Sequence, residues 1–135
     1  MIVLDSSFLV GYHNTRDIHH PAAAETMEQL VAGKWGRALL LEYVFVEVTT
    51  VLLARRGLET AATVAAVLLD SREIDFVPCS DIFLESLDTF TRQSSGALSF
   101  TDSAIVAVAR KQPETLVATF DQDLAQVEGI SVVPV

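Results

Sequence analysis

The chain reads as an α/β protein, a three-layer α/β/α sandwich around a mostly parallel sheet of four to five strands. Three observations predict this. Short β-rich runs alternate with longer helical patterns, and that alternation calls for crossover connections between parallel strands with helices on both faces. At 135 residues, half of them hydrophobic and a fifth charged, the chain can bury one real core but not two comfortable ones. No internal repeat, low-complexity stretch or linker interrupts it, so residues 1–135 are expected to form a single domain.

The elements follow in order. Ile2 to Leu4 is the first strand and Ser7 to Tyr12 the first helix. The segment YHNTRDIHHP carries all three histidines, His13, His19 and His20, and reads as a polar turn entering a helix. Pro21 suits the first turn of that helix, Pro21 to Ala32, and Gly33 suits its stop. A strand from Ala38 to Leu41 leads into a helix from Tyr43 to Arg55, ended at Gly57, and a further helix runs from Glu59 to Ser71. The strand Ile74 to Val77 is followed by a helix from Asp81 to Gln93, with Asp81 placed to favour the helix start. A helix from Thr101 to Lys111, a strand from Leu116 to Ala118, a short turn from Gln122 and a strand from Val132 to Val135 complete the chain.

Nine basic residues stand against eighteen acidic ones, a net charge of −9, which is the wrong sign for a protein that simply coats nucleic acid. Either the partner is not a polyanion or something positive, such as a divalent metal, sits in between. The lone cysteine, Cys79, excludes an internal disulfide framework. The opening MIVLDSSFLV lacks the cationic region of a signal peptide, and the longest uncharged apolar run, Ala61 to Leu69, falls short of the roughly 20 residues that span a bilayer. The expectation is a soluble, cytoplasmic protein with no membrane partner.

Four acids do not fit a solvated face. Asp5 follows the strand IVL, Asp121 follows the strand LVA with Asp123 two residues on, and Asp102 opens a helix whose continuation, Ala104 to Ala109, is uncharged. Ligands in open α/β sheets bind beyond the carboxyl ends of the strands, where these acids are expected. Each Asp has a bland alternative as a helix cap or first-turn charge. Glu47 is harder to dismiss, because a carboxylate among Tyr43, Val44, Thr50 and Val51 in mid-helix has to be paired, solvated or bound. Lys and Arg are scarce nearby in sequence. Converging like charges repel, and a divalent cation resolves that repulsion. All-oxygen ligation favours Mg²⁺ or Mn²⁺ over zinc.

The stretch LLLEYVFVEVTT holds a second acid, Glu42. Five residues amount to about 500° of helical rotation, about 140° net, so Glu42 and Glu47 cannot face one metal from the same ideal helix. Glu42 reads as a helix-start charge and Glu47 as the ligand.

Five blocks in order resemble the PIN domain family, of the kind found in the ribonuclease toxins of VapBC toxin–antitoxin pairs. They are IVLDSSFLVG, RDIHHPAA, LLLEYVFVEVTTVLLARRG, LSFTDSAIVAVARK and VATFDQDLAQVEGISVVP, which together cover nearly the whole chain. The resemblance implies a PIN-like sandwich and a metal-dependent endoribonuclease in which Asp5, Glu47, Asp102 and Asp121 hold one or two Mg²⁺ or Mn²⁺ ions. It implies Asp123 as an outer group or ligand of a second ion, Ser7 and Thr119 as residues that orient the carboxylates, and Asp17 and His20 as structural. It further implies an RNA substrate, a cognate VapB-like antitoxin and a homodimer. Leu124 stands where the family often has Phe, and KQPET where it often has a Gly turn; both lie outside the acids. Two ions would bring the net charge from −9 to −5, so RNA has to be attracted locally, with Arg16, Lys34, Arg37, Arg55, Arg56, Arg92 and Arg110 as candidates.

Other readings are weaker. An aspartyl-phosphate phosphatase of the HAD type wants a second Asp where Ser7 stands, and a response-regulator receiver wants paired acids near the first strand. The runner-up of another class is a catalytically silent PIN-fold module that acts only by binding RNA or protein partners.

Overall fold

The computed structural model describes the whole chain, Met1–Val135. Five parallel strands, β1 (Ile2–Leu4), β2 (Ala38–Leu41), β3 (Ile74–Val77), β4 (Leu116–Ala118) and β5 (Ser131–Val133), lie in the order β3-β2-β1-β4-β5. Val3 pairs with Leu39 on one side and Val117 on the other, which puts β1 at the centre of the sheet. All three residues of β1 are fully buried, as expected of a strand covered on both faces.

Helices α1 (Ser6–His13), α2 (His20–Val31), α3 (Glu42–Arg56) and α4 (Leu58–Asp70) connect β1 through β2 to β3. Helices α5 (Cys79–Arg92) and α6 (Phe100–Ala109) return the chain from β3 to β4, and the short α7 (Gln122–Ala125) leads to β5. The chain leaves β1 in one direction and comes back on its other side at β4. With right-handed crossovers, α1 to α4 cover one face and α5 with α6 the other. The reversal between β1 and β4 is the switch point at which an open α/β sheet leaves a crevice at its carboxyl edge.

Four strands have the expected bounds. β5 starts one residue earlier than the pattern suggests and ends at Val133. α5 begins at Cys79 rather than Asp81, because Pro78 is extended and the free Cys79 N–H finds an acceptor in Glu42 Oε1 at 2.8 Å. Glu42 is the first residue of α3, so its carboxylate serves the start of a neighbouring helix as well as the positive end of its own. Gly57, at φ 88°, allows α3 and α4 to meet without a linker. No helix is long and apolar enough to cross a membrane.

Candidate active site

β1 and β4 deliver Asp5 and Thr119 side by side: Asp5 N–H donates to Ala118 O at 3.0 Å, which continues the ladder one step beyond the strands. Asp5 is only 2 % exposed and makes no capping hydrogen bond to α1, so the bland N-cap reading fails for it. Its Oδ2 accepts from Thr119 Oγ1 at 2.6 Å and from Ser7 Oγ at 2.8 Å. Those hydroxyls are themselves aimed. Thr119 Oγ1 accepts from the Asp121 N–H and Ser7 Oγ from the Phe120 N–H, both at 2.9 Å, which leaves each hydroxyl proton for the carboxylate.

Glu47 reaches the same place from α3. The Ser6 hydroxyl donates to Glu47 Oε1 and stands 3.5 Å from Asp5 Oδ1, so one serine bridges two acids from different elements. Nothing in the sequence marked Ser6, because its partner lies 41 residues away.

Asp102 and Asp121 do hold capping positions. Asp102 forms a reciprocal capping box with Ser99, accepting from the Ser99 N–H at 3.0 Å while Ser99 Oγ accepts from the Asp102 N–H at 3.1 Å. The S-x-x-D spacing is the signal that could have found it. Asp121 Oδ1 accepts from the Asp123 N–H at 2.8 Å at the start of α7. Asp123 is exposed.

Burial raises the Asp102 carboxyl above its ordinary pKa; the capping bonds to Ser99 oppose this, and the charges of Asp5 and Asp121 add to it. Asp102 thus feels both other aspartates across the crevice. Of the ion pairs in the molecule, none involves Asp5, Glu47, Asp102 or Asp121.

The fit to a metal has two sides. The donor set is four carboxylates without a cation, suited to a hard divalent ion. Glu47 Oε2, Asp102 Oδ1 and Asp121 Oδ2 have no hydrogen-bond partner in the chain, and Asp5 Oδ1 has only the long contact to Ser6. On the other side, no three acidic, histidine or cysteine side chains are gathered at coordinating distance in this conformation. The expected convergence of four carboxylates is therefore looser than a ready-made metal cage: Asp102 and Asp121 turn one oxygen each to a cap.

Cys79 offers no thiolate, since burial and the nearby Glu42 carboxylate push its pKa up. It lines, with Tyr43, Glu47, Thr50 and Thr101, a cavity of about 320 Å³ beside the acids. A larger cleft of about 490 Å³ lies between α5, α6 and α7, with Asp123, Arg92 and Arg110 on its walls. Most of the basic residues are engaged. Arg37 pairs with Asp75, Arg92 with Asp88 and Lys111 with Glu85, and Arg110 donates to Glu128 O at 3.0 Å.

The model of the PIN domain family matches residues 2–130. The chain belongs to the PIN domain family. Among solved structures it is similar to VapC20 of Mycobacterium tuberculosis, a sarcin-ricin loop cleaving toxin, at 26 % identity over 98 % of both chains with a TM-score of 0.82. It shares its fold with PAE2754 of Pyrobaculum aerophilum, at 17 % identity over 98 % of this chain and 83 % of the other, TM-score 0.58. No curated protein sequence matches it. As in the PIN fold of VapC, a parallel sheet is sandwiched by helices, and the acids of this PIN domain lie at the sheet's carboxyl edge.

Proposed function

We propose that this PIN domain, acting as one unit over residues 1–135, is an endoribonuclease and the toxin of a type II toxin–antitoxin pair. Asp5, Glu47, Asp102 and Asp121 would hold one or two Mg²⁺ or Mn²⁺ ions, with Asp123 as an outer or second-ion ligand. The observation that carries the reading is the aimed Asp5 carboxylate: two hydroxyls, each fixed by a backbone N–H, take Oδ2 and leave Oδ1 on offer beside three acids that have no cation. The likeness to a sarcin-ricin loop cleaving toxin supports RNA as the substrate.

A divalent ion held by these carboxylates would polarise the phosphodiester and lower the pKa of the attacking water. The chain's own part is orientation. Ser7 and Thr119 fix the rotamer of Asp5, and Ser6 couples Glu47 to it, so the two carboxylates present their outer oxygens together. Burial raises the Asp102 pKa and the charges of Asp5 and Asp121 add to it, and a bound cation would offset both effects. Single-stranded loops suit the crevice, because their backbone can be splayed into it.

The partners proposed with this role are a VapB-like antitoxin and a second copy of the chain, in the cytoplasm. Val46, Leu53, Leu58 and Val67 are exposed on α3 and α4 and supply apolar surface for such contacts.

The absence of a gathered three-acid cluster favours one second reading, a PIN module that binds without cutting. Calorimetry with Mn²⁺ and cleavage of a structured RNA separate the two. The nuclease reading expects wild-type protein to bind Mn²⁺ and cut, and Asp5→Asn to do neither while its thermal unfolding stays cooperative. A wild type that binds no Mn²⁺ and leaves the RNA intact gives the case to the binding module.

A further inference from the structure

The histidine segment between α1 and α2 has no part in the acid site, yet it is packed against it. His19 is exposed and lies flat on Phe120, with ring centroids 4.2 Å apart and 7° between the planes. Phe120 leans in turn on the buried Phe8 at 6.4 Å. Phe120 is the residue between Thr119 and Asp121, and its N–H holds Ser7 Oγ, the hydroxyl that donates to Asp5. The aromatic stack is therefore tied to the acids through the backbone on both sides of one residue.

The stack is seated on the backbone of α1. A β-carbon at Gly11 would stand 3.4 Å from both His19 Cβ and Phe120 Cε2, in ordinary van der Waals contact, which places the stack against this turn of the helix. The backbone of His19 is fixed as well, its N–H donating to Asp17 Oδ1 at 2.8 Å.

Asp17 leads from the rings to the cations. Its Oδ2 lies 3.9 Å from Arg55 Nη1, and Arg55 keeps 60 % of its side chain exposed. Asn14 Oδ1 accepts from Arg56 Nη1 at 2.8 Å and from the Arg16 N–H at 3.1 Å. The guanidinium groups of Arg55 and Arg56 thus gather around Asn14 and Asp17 where α1 and α3 end, with the Arg16 backbone beside them, in a chain of net charge −9. Glu47 and Arg55 are eight residues apart on α3, about 12 Å along its axis. Along α1, Ser7 stands at the acids, Gly11 against the stacked rings and Asn14 at the arginines.

We infer that the RNA strand leaves the acid centre over the C-terminal end of α1, with one unpaired base stacked on the outer face of His19 and a neighbouring backbone phosphate among Arg16, Arg55 and Arg56. This rests on the ribonuclease reading and says where its substrate lies. Stacking suits an acidic protein, because it holds RNA without a large positive field, and it requires a base free of its duplex partner. The arginines supply the local charge that the molecule as a whole lacks.

Fluorescence anisotropy with a labelled single-stranded RNA in EDTA, where nothing is cut, reads the path directly; steady-state cleavage with Mn²⁺ reads it a second time. His19→Ala should bind roughly tenfold more weakly and raise KM with kcat unchanged, while His19→Phe retains wild-type binding. A fully paired RNA duplex should not distinguish the two variants. Arg16→Gln with Arg55→Gln should weaken binding and flatten its salt dependence; Arg56 is left in place because it fastens α3 to Asn14. If His19→Ala and the arginine variant bind and cut like wild type, the path is wrong, and wild-type cleavage leaves the nuclease reading standing. If the wild type cuts nothing but its RNA binding still falls with His19→Ala, the nuclease reading fails and the strand path stands.

Discussion

Thr119 Oγ1 donates to Asp5 Oδ2 at 2.6 Å, joining the ends of β4 and β1 across 114 residues of chain. The same hydroxyl accepts from the Asp121 N–H, so it fixes one candidate ligand by its side chain and another by its backbone. Thr119→Val removes the donor to the buried Asp5 and the acceptor of the half-buried Asp121 N–H, which should cost about 1–3 kcal/mol of stability. Cleavage should fall about 10- to 100-fold, as for partners that orient metal ligands. Thr119→Ser should keep both. Denaturant unfolding together with RNA cleavage checks this; equal activity in the Val and Ser variants would refute the orienting role.

Asp102→Asn should abolish Mn²⁺-dependent cleavage and yet leave the metal-free protein at least as stable as wild type. Burial and the charges of Asp5 and Asp121 disfavour the Asp102 carboxylate, and an Asn side-chain oxygen can still accept from the Ser99 N–H. Thermal unfolding in EDTA is the measurement. A clear fall in the midpoint would show that the ionised group stabilises the fold.

Glu42 and Glu47 should separate cleanly. Glu42→Ala deprives the Cys79 N–H of its acceptor and should cost about 1 kcal/mol, the usual worth of a cap. Its kcat should stay at the wild-type value. Glu47→Gln should do the reverse, leaving unfolding almost untouched and removing activity. Paired unfolding curves and cleavage rates decide, and a loss of kcat in Glu42→Ala would mean that the two acids share one task.

His13 carries a stability dependence on pH. Burial lowers its pKa from the usual 6.5 to about 4, so the folded protein keeps it neutral. Between those values the unfolded chain binds a proton that the folded chain does not. Stability from this group is complete above about pH 6.5 and declines as pH falls towards 4, by on the order of 1–3 kcal/mol. Urea unfolding of wild type and His13→Gln between pH 7 and pH 4 should show a steeper decline in the wild type; parallel curves would rule His13 out.

Much of the site was legible one element at a time. Asp5 after IVL and Asp121 after LVA are strand-end acids in any α/β reading, and Glu47 stands out as a carboxylate on an apolar helix. The capping box at Ser99 is written in its spacing, yet a helix-start acid and a candidate ligand look alike at Asp102. Ser6 was illegible: a serine next to a serine acquires meaning only from an acid 41 residues on. Of the three histidines expected in a polar turn, only His19 lies there, since His13 closes α1 and His20 opens α2, and no local pattern announces that His19 lies on Phe120.

By itself the sequence determined the α/β class, four of the five strand bounds and the order of the elements, because hydrophobic period and turn chemistry are local properties that survive without neighbours. Only the tertiary structure decided which hydroxyl serves which carboxylate, that Glu42 caps a helix other than its own, and that the acids lie near one another without forming a closed cage. Hydrogen bonds and charge interactions act over a few ångströms of space regardless of separation along the chain. Their partners are set by how β1, β4, α3 and α6 pack, which no short window of residues contains.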